Sequence, residues 1–283
     1  MGEPHNSPSL LILNRKIKNR TIRLTQQPAH LKVQENAMEV KSICPICNSE
    51  KSFSAPDEYK KYRAHFRATD CEYRLCIPRT RAVASVLFSF FPRESVTELS
   101  IHESSPTPMG LSLWLRQNCQ NYVMSGFFPG ETMGEIVRGF RNENLEEQTF
   151  SDNTFDLVLH LDVLEHLFDP FAALREIFRT LKPGGMCLFT APTYPGRTES
   201  EQVAFNEGGK VRIVGEPEHH GNPHSNDGAL VTWRYGYDLP LLIGSKTEFD
   251  VEVRRWHAKE HAIMGRMTEV YILKKPTTPQ TSE

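Results

Sequence analysis

Between Thr154 and Pro192 the chain reads TFDLVLHLDVLEHLFDPFAALREIFRTLKPGGMCLFTAP, and no other stretch limits the possible folds so strongly. Phe155, Leu157, Val158, Leu159 and Leu161 form a short apolar run, too short for a stable helix and suited to a buried parallel strand. Asp169-Pro170 has the chemistry of an N-cap followed by proline at the first helical position. Phe171, Leu174, Ile177, Phe178 and Leu181 then recur at helical spacing, so one face of this helix covers a sheet. Lys182-Pro183-Gly184-Gly185 stops the helix with a cation near its negative end, a proline that cannot extend it and glycines that permit a reversal. Met186 to Thr190 reads as the next strand. Strand, crossover helix and strand of this length make a right-handed βαβ unit. Ligands are therefore expected beyond the carboxyl ends of the strands, where His160 to His166 lie.

The segments FDLVLHLDVLEH, EIFRTLKPGG and LFTAP resemble class I methyltransferases that use S-adenosylmethionine (SAM), and weaker flanks extend the likeness over roughly Ser95 to Lys274. The resemblance implies an α/β fold: a doubly wound, seven-stranded Rossmann-like sheet. It places the cofactor across the ends of the first four strands and the acceptor over the fourth and fifth. The implied activity is methyl transfer to an oxygen, nitrogen or carbon of a small molecule or glycan intermediate. The competing reading is a catalytically silent binding or scaffold protein that keeps the fold.

A chain of 283 residues with 39% hydrophobic content can bury a full core and leave room for a small module. The expected organisation is a flexible arm over 1–40, a zinc-ribbon-like module and linker helix over 41–92, the methyltransferase domain over 93–275 and a tail over 276–283. A formal net charge of −2 gives no global attraction for nucleic acid. The longest apolar runs, such as Ala82 to Phe91, are too short to span a bilayer, and no signal-peptide core stands at the N-terminus. No membrane partner and a cytoplasmic location are expected, while oligomeric state is unreadable. In the arm, Arg15, Lys16, Lys18, Arg20 and Arg23 read as a solvated basic segment, and Leu10 to Leu13 as an apolar anchor.

Four of the six cysteines, Cys44, Cys47, Cys71 and Cys76, fall in two pairs. A reducing compartment argues against disulfides, and two knuckle-like pairs at this separation suit one structural zinc held by four thiolates. The second pair, CEYRLC, has a longer gap than usual, and the alternative is that these cysteines are small buried hydrophobes. The resemblance to zinc ribbons that precede some methyltransferase domains favours the metal. Cys119 and Cys187 read as core residues.

Arg79, Thr80 and Arg81 lead into an amphipathic helix that Pro92 should stop. Val96 to Ile101 is expected as the next strand, with His102-Glu103-Ser104-Ser105-Pro106 as the turn after it. The resemblance implies a glycine-rich cofactor loop at this place. Aligned on Glu98, this chain puts Ser100, His102 and Ser104 where glycine usually stands, so either the loop takes a wider path or cofactor binding is lost. The second strand, Tyr122 to Met124, leads to Ser125-Gly126 instead of the acid that would accept both ribose hydroxyls. Asn144 and Leu145 resemble the adenine-reading segment, although Asn144 also suits a plain turn. Asp162, Glu165 and His166 are expected on one short helical turn beside the transferable methyl. His160, Asp162 and Glu103 are expected near the cofactor, the carboxylates close to its cationic sulfur. His166 is read either as a general base or as a group that only shapes the pocket.

After Pro192 comes a long polar insertion, expected as a lid over the acceptor. It supplies Tyr194, His219 and Asn222 as substrate-binding candidates and His220 as a second catalytic candidate. Its histidines lack fixed ligand spacing, so polar recognition is favoured over metal. Tyr237 to Ile243 should be a short helix, and Phe249 to Val253 with Val270 to Leu273 a closing antiparallel pair.

Overall fold

The computed structural model describes residues 37–277 except 57, 59–61, 75, 223–224 and 256–257, and omits the side chains of 37, 64, 222 and 225–227. The expectations for residues 1–36 of the arm and for the tail beyond 277 lie outside the described residues, while the arm's last four residues, 37–40, belong to a strand.

The chain enters through a hairpin, β1 (Ala37–Ile43) and β2 (Glu50–Pro56), and a helical turn at Tyr62–His65. Helix α1 (Pro78–Phe90) follows, with proline in its first turn and an extended Phe91 just before Pro92 at its end. The sheet then begins: β3 (Ser100–Ser104), α2 (Gly110–Asn118), β4 (Asn121–Gly126), β5 (Ile136–Val137) and β6 (Phe140–Asn142). The βαβ unit is β7 (Phe155–Leu161), α3 (Pro170–Thr180) and β8 (Leu181–Thr190). As its cap chemistry predicts, the Asp169 carboxylate accepts the backbone amides of Phe171 and Ala172 at 3.1 and 2.9 Å.

The insertion is not an open loop. It folds into antiparallel ribbons: β9 (Glu201–Gln202) pairs with β14 (Trp233–Arg234), β10 (Ala204–Glu207) with β11 (Lys210–Ile213), and β12 (His219–Asn222) with β13 (Ser225–Leu230). Helix α4 (Leu239–Lys246) and the strands β15 (Asp250–Arg254) and β16 (Val270–Lys274) close the chain.

The main sheet runs β15-β16-β8-β7-β3-β4-β6-β5. Strands β6, β4, β3, β7 and β8 are parallel, and β16 enters antiparallel beside β8. The seven expected strands are joined by an eighth, the two-residue β5, hydrogen-bonded antiparallel to β6 at the edge. Successive side chains face opposite layers. Ile101, Leu157, Leu159, Leu188 and Ile272 pack with α1, α2 and the N-terminal hairpin, whereas Val158, Cys187, Phe189, Tyr271 and Leu273 pack with α3 and α4. Each such fully buried aliphatic side chain contributes about 1.5–3 kcal/mol. Cys119 and Cys187 lie in the core.

One strand is displaced from its expected place. Val96 ends a helical turn, Arg93–Val96, and β3 starts only at Ser100. Pairing with β4 and β7 draws His102, Glu103 and Ser104 into the sheet, so the turn begins at Ser105. Among the described residues, no helix is long and apolar enough to cross a membrane.

Candidate active site

Strands β3 and β4 are joined on one side and β3 and β7 on the other, which makes β3 the point where strand order reverses and a crevice opens at the carboxyl ends. A cavity of ≈ 490 Å³ lies there, walled by Arg63, Arg79, Asp162, Tyr194, Glu218 and His220 among others. A second, of ≈ 250 Å³, is bordered by Glu143, Asn144, Leu145 and Phe168. Ser105, Val163 and His166 belong to both walls, so the two spaces adjoin.

Ser105 carries the turn that glycine would otherwise make. Its φ is +53°, in the left-handed region, and its amide donates to Ser125 O at 2.8 Å. That conformation costs a residue with a Cβ about 1–2 kcal/mol.

Asp162, at the end of β7, also has a left-handed φ, +54°, and therefore stands outside the single 3₁₀ turn Leu164–His166 instead of sharing it. Thr190 Oγ1 donates to its Oδ1 at 2.8 Å. Arg63 and Arg79 both donate to its Oδ2. Burial alone would raise the Asp162 pKa, but Arg79 and Arg63 outweigh it and hold the carboxyl well below the usual range. This cluster of two cations and one anion carries a net +1 toward the larger cavity. Neither arginine is marked by sequence pattern. Arg63 comes from the N-terminal segment and Arg79 from α1, far from β7 in the chain.

Glu165 lies deeper, 1% exposed, and neither of its carboxylate oxygens has a hydrogen-bond partner among the described residues. His166 Nε2 is 3.7 Å and His220 Nδ1 3.6 Å from its Oε1, ion-pair distances too long for hydrogen bonds. Burial raises the Glu165 pKa, and the neighbouring Glu165 carboxylate raises that of His220 against its own desolvation. His166 Nδ1 donates to Leu230 O at 2.8 Å. His220 Nε2 is 3.2 Å from Glu218 Oε1, which also accepts Tyr194 Oη at 2.7 Å, while Arg234 Nε donates to Glu218 Oε2 at 3.0 Å. His220 of the insertion and His166 of the turn after β7 thus face one buried carboxylate.

The other expected site residues are distributed unevenly. Leu145 and Asn144 border the smaller cavity, with Asn144 Oδ1 also accepting the Glu146 amide at 3.0 Å as a turn residue does. Ser104 reaches the same wall. Ser125 is buried and 2.8 Å from His102 Nε2. His102 sits between Phe150 and Phe155, and His160 stacks on Phe189 with ring centroids 4.7 Å apart. Burial lowers both histidine pKa values to about 3, so these rings are neutral core groups. Glu103 points to the opposite face, accepting Ser112 Oγ at 2.5 Å and Tyr122 Oη at 2.6 Å, and burial pushes it up to about 7. Glu98 is exposed, and Ser100 opens β3 with its amide on Asp156 at 2.8 Å; both stand at the amino end of the strand, away from the cavities. His219 is absent from both cavity walls, and the Asn222 side chain lies outside the described residues.

Away from the crevice, four unlinked cysteines converge. Cys44, Cys47 and Cys71 hold their sulfurs within 4.8 Å of one another, and Cys76 Sγ is 2.9 Å from Cys71 Sγ. Beside them Arg81, 0% exposed, donates to the carbonyls of Cys76, Phe66 and Ala262 and stacks over Phe53 at 4.3 Å.

Residues 129–189, which run from before β5 through β8, match the model of the methyltransferase domain family. This segment is similar to methyltransferase domains. The chain is 44% identical over 68 residues to an uncharacterized methyltransferase of Schizosaccharomyces pombe, covering 22% of this chain and 24% of that one. It is 30% identical over 82 residues to a ubiquinone/menaquinone biosynthesis C-methyltransferase of Desulfotalea psychrophila, covering 26% and 33%. The chain thus spans only a quarter to a third of the length of these curated relatives. Among solved structures, a SAM-dependent methyltransferase from Mesorhizobium loti superposes with a TM-score of 0.44 at 14% identity, over 68% of this chain and 97% of that one.

Proposed function

We propose that this methyltransferase domain binds SAM across the adjoining cavities and transfers its methyl group to an oxygen, nitrogen or carbon of a small molecule or glycan intermediate. The observation that carries the reading is the junction at Ser105, Val163 and His166. It links a smaller space beside Glu143 to Leu145 with a larger one rimmed by lid residues, at the reversal of a methyltransferase-type sheet. The lining suits the cofactor's ends. Asn144 and Leu145 offer a polar edge and an apolar face to a purine, and the net +1 of Arg63, Arg79 and Asp162 favours a carboxylate. When bound, SAM supplies an electrophilic methyl on a cationic sulfur. The chain's own contribution is alignment: the Ser105 turn and β7 end fix one reactant, and β12 positions the other. His166 and His220 face the larger cavity, where an acceptor's proton must leave.

The module over 41–92 is proposed to hold one structural zinc on Cys44, Cys47, Cys71 and Cys76. Buried Arg81 supports this, because zinc with four thiolates is a dianion and a cation in the core beside it needs such a counter-charge. A cytoplasmic location and a main domain over 93–275 complete the proposal.

Calorimetric titration with SAM and S-adenosylhomocysteine tests it. Binding in the micromolar to sub-millimolar range is expected, since no acid at Ser125-Gly126 holds the ribose. No heat and no thermal stabilisation at millimolar ligand would favour the silent scaffold.

A further inference from the structure

We infer that Glu165, His166 and His220 form a binding site for one divalent transition-metal ion of the zinc type, with an open coordination position toward the larger cavity. Three observations converge on it. The first is the Glu165 carboxylate, 1% exposed, whose two oxygens accept no hydrogen bond among the described residues and face only the two histidines, at ion-pair distance. An isolated ionised carboxylate is too costly to bury, so buried charges are paired or bound to metal. The second is spacing. The nearest ligand atoms are 3.6 and 3.7 Å from Glu165 Oε1, and the three residues' donor atoms lie within 4.8 Å of one another. Ligands about 2.0–2.2 Å from a common ion in tetrahedral geometry stand about 3.4 Å apart.

The third observation is the orientation of the two rings. His166 donates from Nδ1 to Leu230 O, which leaves Nε2 as a lone pair facing Glu165. His220 turns Nε2 to the Glu218 carboxylate and leaves Nδ1 facing Glu165. In both rings the outer nitrogen has the carbonyl or carboxylate partner that metal-ligating imidazoles use to set their tautomer. Two histidines and one carboxylate with a free position are the donor set of catalytic zinc and non-haem iron sites.

The ion's use follows from the proposed methyl transfer and rests on that reading. An oxygen donor of the acceptor can occupy the open position; the ion would then lower that oxygen's pKa so that its proton passes to water in the larger cavity, and the oxygen would form its bond to the methyl carbon as the carbon–sulfur bond of SAM breaks and the neutral thioether leaves. This replaces proton acceptance by the rings themselves and narrows the acceptor to one with a metal-binding oxygen.

Metal binding is tested without cofactor or acceptor, so its outcome is independent of the methyltransferase reading. The full chain, loaded with zinc at its cysteines, is dialysed against a mild chelator and titrated with Co(II). One further equivalent is expected, with d–d absorption and without the thiolate-to-cobalt charge-transfer band that a cysteine site gives. His220→Asn, at a half-exposed ribbon position, should abolish that equivalent, as should Glu165→Gln. Glu218→Gln should weaken it 10–100-fold, as loss of an outer partner does. Cys44→Ser should leave it in place. No cobalt bound beyond the cysteine site, or binding unchanged in His220→Asn, overturns the inference.

Discussion

At the scale of single residues, two groups carry testable strain. Ser105 keeps the left-handed turn without glycine. Ser105→Gly removes about 1–2 kcal/mol of steric cost and restores about 0.5–1 kcal/mol of unfolded-chain entropy. The denaturant midpoint should therefore hold or rise slightly at constant m, with SAM affinity not reduced. Ser105→Val should lower the midpoint, because a β-branched residue fits that conformation worse. Glu103 provides a pH signature. Its folded pKa, about 7, lies above the unfolded value of 4.5, so the native state binds more protons than the unfolded state between those pH values. Stability from this group is then complete below about pH 4.5 and is lost as pH rises through 7, by an amount of order 2–3 kcal/mol. His102 and His160 act in the opposite sense, being depressed to about 3, so the group must be isolated by difference. The gap between Glu103→Gln and the parent in urea midpoint should widen in the variant's favour from pH 5 to pH 7.5. A gap that does not change with pH would show that Glu103 ionises normally.

At the scale of elements, β7–α3–β8 was legible because cap, helical period and stop signal all act locally and agree. Strand β3 was not. Its residues, Ser100 to Ser104, are mostly polar and resemble a turn, and only pairing with β4 and β7, a nonlocal event, makes them a strand. The ribbons of the insertion carried one readable sign. Gly208-Gly209 joins β10 to β11 with φ of +63° and +89°, the chemistry of a two-residue hairpin turn that the preceding Asn206 and following Lys210-Val211 frame. Cavity residues followed the same division. His166, Asp162 and Leu145 were found from motif position, whereas Arg63 and Arg79 reach Asp162 from 99 and 83 residues away in sequence and carry no local signal. Their pairing makes a prediction for this end of β7. Asp162→Asn leaves two partly buried cations facing each other and should lower stability by about 1–3 kcal/mol, a buried-pair value discounted for the partial exposure of the arginines. Arg79→Met in the same background should recover part of the loss, as a double-mutant cycle of midpoints would show.

At the scale of the whole molecule, the cysteine-bearing segment and the sheet share one core. Cys44, Ile46, Phe53 and Phe66 belong to the same cluster as Leu157, Leu188 and Ile272. The seam is polar as well as apolar. Ser42 Oγ donates to Glu260 O at 2.5 Å, and Arg81 bonds at once to carbonyls of the first segment, Phe66 and Cys76, and of the last, Ala262. The zinc centre proposed for this position would not melt by itself. If zinc is held there as proposed, removing it, or changing Cys44 to Ser, would free thiols beside the Arg81 guanidinium and loosen packing that continues to β7 and β8, so that the segment's loss becomes the sheet's loss. The expected outcome is one cooperative thermal transition that shifts to lower temperature as a whole, with tryptophan fluorescence, the far-ultraviolet signal of the sheet and zinc release all following the same midpoint. Arg81→Met should shift it in the same direction by about 3–5 kcal/mol, since three buried carbonyls lose their donor and the proposed dianionic centre its counter-charge. Two separated transitions, with zinc leaving in the first while the sheet signal persists, would mean that the N-terminal segment is an independent unit and that the shared core contributes little to either part.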